Sequence, residues 1–181
     1  MNNESEELQK VYRKWVISTL SLMVLIFFLI SSVIIYIDPC FHYHLPVDNF
    51  EYFLDSKMER YINDGITQHF EYNGIITGTS IAANFKASEA DEIFNTKFIK
   101  VPYSGGRYKE INDNLKRAYE AKKNIRYIIR ALDIEYMTNS KNSYDSARTY
   151  PLYMYNDNIF DDVNYILNKS ILIENVWGGG N

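Results

Sequence analysis

Hydrophobic residues follow two different patterns along this 181-residue chain. Residues 15–37 form one unbroken run without a charge, WVISTLSLMVLIFFLISSVIIYI. About 20 apolar residues suffice to cross the hydrocarbon core of a bilayer, and a buried core helix seldom needs so long a run. The run also exceeds the apolar part of a signal peptide, and no A-x-A-like cleavage site follows it. We therefore predict an uncleaved transmembrane helix at residues 15–37.

Basic residues lie close to only one end of this run. Lys10, Arg13 and Lys14 directly precede it, whereas the next Lys or Arg after it is Lys57. By the positive-inside rule, this asymmetry predicts a cytoplasmic tail at residues 1–14. The chain is then a single-pass protein of the cell membrane, with the rest of its residues outside the cytoplasm.

Short apolar runs alternate with helical patterns over the remaining residues. Strand-like runs lie at Gly74–Gly78, Lys97–Pro102 and Ile125–Leu132, and helical apolar spacings lie at 81–94, 108–119 and 159–167. Strand–helix repeats with short connections favour an α/β fold with a parallel sheet. We therefore predict a juxtamembrane linker at residues 38–69 and an α/β domain at residues 70–181.

Polar or glycine-rich segments follow each predicted strand. They are Gly78-Thr79-Ser80, Tyr103–Gly106 and Asp133. Because the carboxyl ends of parallel strands share one edge of a sheet, and sites in such folds lie at that edge, we expect the three segments to meet there.

These residues allow two interpretations. A serine on a sharp strand-to-helix turn, as Ser80 is, can present its hydroxyl to a cleft while backbone amides bind an oxyanion. Gly105 and Gly106 let the backbone approach a substrate and expose a second amide, and Asp133 completes the wall of the cleft. In the plainer interpretation Thr79 or Ser80 caps a helix, the glycines form a turn and Asp133 ends a strand. Spacing alone favours the plainer one.

Several segments resemble bacterial envelope proteins related to the SGNH/GDSL hydrolase superfamily. They read YNGIITGTSIAANFKASEAD, KVPYSGGRYKEIND and YIIRALD, within residues 71–133, and are preceded by Asp38-Pro39, His42-Tyr43-His44 and Arg60–Gly65. Together with the N-terminal anchor, they are similar in outline to membrane-anchored SGNH-like proteins that help to acylate surface polymers, including the teichoic-acid D-alanylation protein. The resemblance implies a three-layer, flavodoxin-like sheet, which is partial in this chain.

The resemblance also implies roles for individual residues. Ser80 stands where the superfamily has its nucleophile, although Thr79 replaces the usual residue before it. Gly105 or Gly106 matches the glycine whose amide serves the oxyanion hole. Asp133 lies near the position of an asparagine that normally supplies a third oxyanion donor.

The superfamily's catalytic Asp and His belong to a C-terminal D-x-x-H block, but the last histidine in this sequence is His69. A serine hydroxyl is a weak nucleophile without a base, and loss of a triad member costs several orders of magnitude in rate. His69 precedes the first predicted strand, so we expect it near the opposite edge of the sheet. The sequence thus predicts an esterase-like or acyltransferase-like domain that is inactive or incomplete.

Composition argues against several other classes of protein and site. With 23 acidic and 19 basic residues the chain does not resemble a basic nucleic-acid-binding protein. A single cysteine, Cys40, excludes an internal disulfide or a multi-cysteine metal site. His42 and His44 could share a metal with Asp48, but two histidines do not specify a site, and surface histidines are the favoured interpretation. We predict no cofactor and no metal.

Two other hypotheses remain. The chain could be a noncatalytic envelope assembly or binding protein, because its 16 tyrosines suit carbohydrate and protein surfaces. It could also be a remnant without independent function, in which case three strands leave apolar surface exposed. The expected partners are the lipid bilayer and either a cell-surface polysaccharide or envelope assembly proteins.

Overall fold

The computed structural model describes residues 2–52, 56–121, 124–133, 142–145 and 149–171. Contacts divide the chain into two compact units, Met1–Tyr36 and Ile37–Asn181. The elements are α1 (Asn2–Ile37), a 3₁₀ helix (Ser56–Met58), α2 (Glu59–His69), β1 (Gly74–Gly78), a 3₁₀ helix (Ser80–Asn84), α3 (Ala87–Phe94), β2 (Phe98–Pro102), α4 (Tyr108–Ala121), β3 (Tyr127–Arg130), a 3₁₀ helix (Leu152–Met154) and α5 (Val163–Ile166).

Helix α1 is long and apolar enough to cross a membrane, as the sequence predicts. The qualifying stretch is Glu6–Ile37, with a mean hydropathy of 2.8 in its most apolar window. Only 11% of that window is buried, whereas a helix in the core of a soluble protein would be mostly buried. The helix begins at Asn2, so residues 2–14 of the predicted tail are themselves helical.

The second unit contains the predicted parallel sheet. Its strand order is β2-β1-β3, and β1 pairs in parallel with both neighbours. Every residue of β1 is buried, which suits a short apolar strand in the centre of a parallel sheet. The α/β prediction is therefore confirmed. Strands β2 and β3 are slightly shorter than the apolar runs that predict them.

Apolar residues cover both faces of the sheet, because neighbouring residues of a strand point to opposite faces. Ile75 packs in a cluster with Ile99, Val101 and α4, while Ile76 packs on the other face with residues of α3. Helices α2 and α4 thus lie on one face and α3 on the other. This arrangement makes three layers around the central strand.

Two predicted helices are shorter than their apolar spacing suggests. The predicted helix at 81–94 is broken at Phe85, which has extended backbone between a 3₁₀ helix and α3. Because of the break, residues before and after Phe85 no longer lie on one side of a single helix. Ile81 and Phe85 are exposed, and Ala90 is the apolar residue of this spacing that is buried. The pattern at 159–167 gives only α5, and Ile159 lies in the turn before it.

Helix α2 lies inside the predicted linker at residues 38–69, yet it packs against β2 and α4. Its buried face is polar. Asn63 Nδ2 donates to the Pro102 carbonyl at 2.6 Å, and Thr67 Oγ1 is 3.0 Å from Asn114 Nδ2. The helix was missed because apolar periodicity, the usual sign of a packed helix, is weak where hydrogen bonds hold the interface.

Candidate functional site

The residues that follow the three strands lie side by side, as predicted. The Tyr103 amide donates to the Gly78 carbonyl at 2.8 Å, and the Ala131 amide donates to the Thr77 carbonyl at 2.9 Å. These bonds continue the sheet beyond its last paired residues. Between the strand ends is a cavity of about 10 Å³, close to the space that one water molecule needs. Its lining residues are Thr79, Gly106, Tyr108, Ile111, Ala131 and Asp133.

Gly78 allows this close approach of β1 and β3. Its φ is +147°, and a Cβ at this position would lie 2.8 Å from the Cβ of Ala131. A side chain is therefore excluded both by backbone conformation and by space. Thr79 follows in extended conformation and is buried, with its hydroxyl donating to the Asp133 carboxylate. This bond joins the ends of the first and third strands.

Ser80 is the first residue of the 3₁₀ helix after β1, and it is exposed. It is not among the residues that line the small cavity. Thr79, in the N-cap position, makes no capping bond with its side chain. The helix-cap interpretation therefore does not hold for Thr79, and Ser80 presents its side chain at the protein surface beside the strand ends.

Gly105 and Gly106 form a tight turn after β2. The Gly106 amide donates to the Tyr103 carbonyl at 2.6 Å, and Gly105 has a φ of +61°. A positive φ at the third turn position is the feature of a type II turn that favours glycine. Gly106 lines the small cavity but its N–H is bonded inside the turn, whereas Gly105 is not among the residues that line this cavity.

A buried ionic network holds this turn against α2. Glu59 accepts hydrogen bonds from the Ser104 amide at 2.6 Å and the Ser104 hydroxyl at 3.0 Å. Next to it, Arg60 Nε donates to the Glu110 carboxylate at 3.0 Å, and both side chains are at most 5% exposed. Burial raises the pKa of Glu110, although Arg60 opposes the shift. Sequence reasoning missed these residues, because their partners are distant along the chain.

Arg130 adds a positive charge at the end of β3. Its guanidinium lies 4.9 Å from the centre of the Tyr108 ring, and Nη1 donates to Asn112 Oδ1 at 2.7 Å. Burial lowers the pKa of Arg130. Tyr108 also lines the small cavity, so this cation borders the edge that carries Asp133. Its place at a strand end is the only feature of the sequence that marks this residue.

His42 and His69 belong to a second, larger cavity of about 250 Å³. Its lining residues are His42, Tyr43, Asp64, Gln68, His69, Arg117, Asn156, Asp157, Ile159 and Asp162. None of them lines the small cavity at the strand ends. His42 Nε2 lies 3.1 Å from Asp162 Oδ1, and His69 Nε2 lies 3.2 Å from the His42 carbonyl oxygen.

Carboxylates and a guanidinium dominate this second cavity. Arg117 donates to both oxygens of Asp64, at 2.6 and 3.1 Å. Burial raises the pKa of the Asp64 carboxyl, although its contact with Arg117 acts to lower it. Within the described ranges, no group of three or more His, Cys, Asp or Glu side chains is arranged to hold a metal ion. His44, the other histidine of the juxtamembrane pair, instead has Nδ1 2.6 Å from the Leu45 carbonyl oxygen.

Comparison with known proteins did not identify a family. No protein-family model, no curated protein and no solved structure matches the chain. Its chemistry must therefore be inferred from the two cavities. The sheet edge offers an exposed serine, a glycine turn and a carboxylate, whereas His42 and His69 lie in the other cavity.

Proposed function

We propose that the chain is a membrane-anchored, extracytoplasmic SGNH-hydrolase-like protein, related to acyl esterases and transferases that act on cell-surface polysaccharide. Helix α1 is the anchor, and Lys10, Arg13 and Lys14 before its uncharged run favour a cytoplasmic N-terminus. The strand order β2-β1-β3 supports the proposal, because it agrees with the first three strands of the flavodoxin-like order.

The position of Ser80 carries the proposal. In open α/β sheets, ligands bind where the strand order reverses, which here is between β1 and β3. The bond between Thr79 and Asp133 marks this point, and Ser80 follows Thr79 directly. A substrate acyl group placed beside Ser80 would also lie near the glycine turn that follows β2.

The described residues suit slow acyl transfer rather than fast hydrolysis. Ser80 Oγ would form a bond to the acyl carbon while the bond from that carbon to the ester's alcohol oxygen breaks, and the serine proton would pass through a base to this leaving oxygen. His42 and His69 line the second cavity and His44 is bonded beside Leu45, so none of the three lines the small cavity at the strand ends, and in the proposed reaction the base comes from solution. The proposed chain therefore acts as an incomplete enzyme, with a nucleophile and an oxyanion donor but no imidazole beside them.

Chemical rescue tests this assignment. The full chain in detergent micelles would be incubated with p-nitrophenyl acetate over a series of imidazole concentrations, with release of nitrophenolate as the readout. We expect the imidazole-dependent rate to exceed that of Ser80→Ala by on the order of tenfold, less than a positioned base provides. Ser88→Ala, at an exposed serine of α3, is the matched control and should behave as the unaltered chain. Equal slopes for Ser80→Ala and the unaltered chain would refute the role of Ser80.

A noncatalytic binding function is favoured by a different observation. Tyr150 stacks between Tyr144 and Tyr155, with ring centres 4.6 and 4.5 Å apart, beside a cavity of about 190 Å³. Tyrosines of this kind suit carbohydrate and protein surfaces. If the chain binds polysaccharide here, Tyr144→Ala should weaken glycan binding measured by calorimetry. Tyr119→Ala, at an exposed tyrosine outside this cavity, should leave it unchanged.

A further inference from the structure

Four apolar side chains are exposed together on the segment that leads into and through α5. Ile159, Phe160, Val163 and Leu167, here termed the apolar strip, are 73%, 81%, 43% and 57% exposed. The last three follow one another at intervals of three and four residues, which places them on one side of a helical segment. Exposed apolar groups that are contiguous mark surfaces that contact another phase or another molecule.

The turn that carries the strip is fixed by hydrogen bonds. The Asn158 amide donates to Asn156 Oδ1 at 2.7 Å, and the Phe160 amide donates to Asn158 Oδ1 at 3.2 Å. The Asp161 amide donates to the Asn158 carbonyl at 2.9 Å. Because local bonds hold this backbone, Phe160 is presented outward without further ordering.

The strip is also tied to the segment that follows the apolar helix. Asp38 comes directly after Ile37, the last residue of α1. Tyr165, which lies between Val163 and Leu167, donates to Asp38 Oδ1 at 2.7 Å. The segment that carries the strip is therefore held against the residue that directly follows the helix.

A second contact, between His42 and Asp162, also joins the loop after the helix to the turn that carries the strip. Asp38 accepts hydrogen bonds from the amides of His42 and Tyr43 at 2.9 and 2.6 Å, so the loop after the helix is tightly folded. His42 in turn contacts Asp162, two residues after Phe160. Phe160 and Asp162 are two residues apart, and an extended chain spans at most about 3.6 Å per residue. Phe160 therefore lies close to this contact.

From this connection we infer that the apolar strip lies against the surface of the membrane in which the chain's own helix is anchored. The inference rests on the membrane anchor of the proposed function and not on Ser80. The uncharged run ends at Ile37, so Asp38 lies at the boundary between hydrocarbon and headgroups. Apolar side chains held at that boundary bury their surface among headgroups and the first acyl carbons. The occupant of the strip is therefore lipid.

Site-directed fluorescence tests the inference in the full chain. Phe160→Cys would be labelled with an environment-sensitive fluorophore and reconstituted into phosphatidylcholine vesicles that contain a spin-labelled phosphatidylcholine. The native thiol of Cys40 is buried and its pKa is raised by burial, so it should label poorly, and the unaltered chain measures that background. We expect the spin-labelled lipid to quench the label at 160 several-fold more than a label at Tyr119→Cys. Tyr119 is 72% exposed and lies on α4.

Two further labels make the outcome decisive. Leu25→Cys, inside the uncharged run, reports whether the helix enters the bilayer, and Val163→Cys repeats the test on the strip. Quenching at 25, 160 and 163 but not at 119 supports the inference. Quenching at 25 alone overturns it while leaving the anchor intact, and absence of quenching at 25 overturns the anchor as well. A blue shift at 160 that depends on protein concentration, without lipid quenching, overturns it in favour of contact with a second copy.

Discussion

The two ends of helix α2 adjoin two cavities that differ in size and chemistry. At its amino end, Glu59 and Arg60 bind the loop beside the sheet edge, where the cavity is about 10 Å³. At its carboxyl end, Asp64 and His69 line a polar cavity of about 250 Å³. Ser80 follows a residue that lines the first, whereas His42 and His69 line the second. A serine and an imidazole in one small domain therefore need not belong to one site.

The largest expected effect concerns the network at the sheet edge. Glu110→Ala leaves the buried Arg60 with Asp145, 3.9 Å away, as its remaining carboxylate. We expect a loss of about 3 kcal/mol in the free energy of unfolding, because breaking a buried ion pair leaves a poorly compensated charge. Urea unfolding of the full chain in micelles measures it.

Glu89→Ala is the matched control for this substitution. Its partner Lys86 is 3.0 Å away, but both side chains are more than 60% exposed. Such pairs contribute about 0–1 kcal/mol. A loss below about 1 kcal/mol for Glu110→Ala as well would mean that the network does not hold the edge together.

A smaller effect is expected for the glycine turn. A Cβ at Gly106 would lie 2.3 Å from the Cβ of Tyr103, so Gly106→Ala must displace the turn. We expect destabilisation of about 2 kcal/mol from overpacking, together with slower imidazole-dependent acylation of Ser80. The quantities to compare are the urea midpoint and the nitrophenolate rate. An unaltered rate would separate the turn from Ser80.

The polar cavity should give stability a distinctive pH dependence. Burial raises the folded-state pKa of Asp64 above the ordinary value of about 4. The folded chain then binds this proton more tightly than the unfolded chain, so the contribution is complete below about pH 4 and is lost as pH rises through the raised pKa. Glu110 acts in the same direction. The contribution of these two carboxyl groups to stability should therefore fall as the pH rises through their raised pKa values.

Asp64→Asn should reduce this slope, because one of the two carboxyl groups with a raised pKa is removed. Thermal unfolding followed by circular dichroism from about pH 4 to about pH 7 would show it. Asp157→Asn, at a carboxylate that is 96% exposed in the same cavity, is the control and should keep the slope. An identical slope in both variants would contradict the assignment of the slope to Asp64.

The smallest effect is expected at His42. Since this imidazole contacts Asp162 in the second cavity, His42→Gln should change imidazole-rescued acylation of Ser80 by less than about twofold. The nitrophenolate assay measures the change. A large loss, accompanied by an altered pH profile, would show that the two cavities act as one site.

Sequence predicted those features that depend on local pattern and topology. The buried strand Gly74–Gly78 is apolar throughout its centre, and its parallel neighbours bring Thr79, Gly106 and Asp133 to one cavity. Directionality of the strands was enough for that prediction. The long apolar helix was also predicted from sequence, because length and the absence of charge suffice to recognise a candidate span.

Features held by distant polar pairs could not be predicted in the same way. Helix α2 buries Arg60, Asn63 and Asp64, and their partners lie about 40 to 50 residues further along the chain. No apolar period marks such a face. The second cavity likewise joins His42 to Asp162, which are 120 residues apart. The break at Phe85 was missed because an apolar residue continues the spacing even where the backbone leaves the helix.

The most direct test of the central claim is to locate the acyl group itself. The full chain would be treated with p-nitrophenyl acetate and imidazole, digested, and mapped by mass spectrometry. We expect acetylation of Ser80, which disappears in Ser80→Ala and persists in Ser88→Ala and His42→Gln. Acetylation confined to lysines or to residues of the second cavity, with Ser80 unmodified, would contradict it.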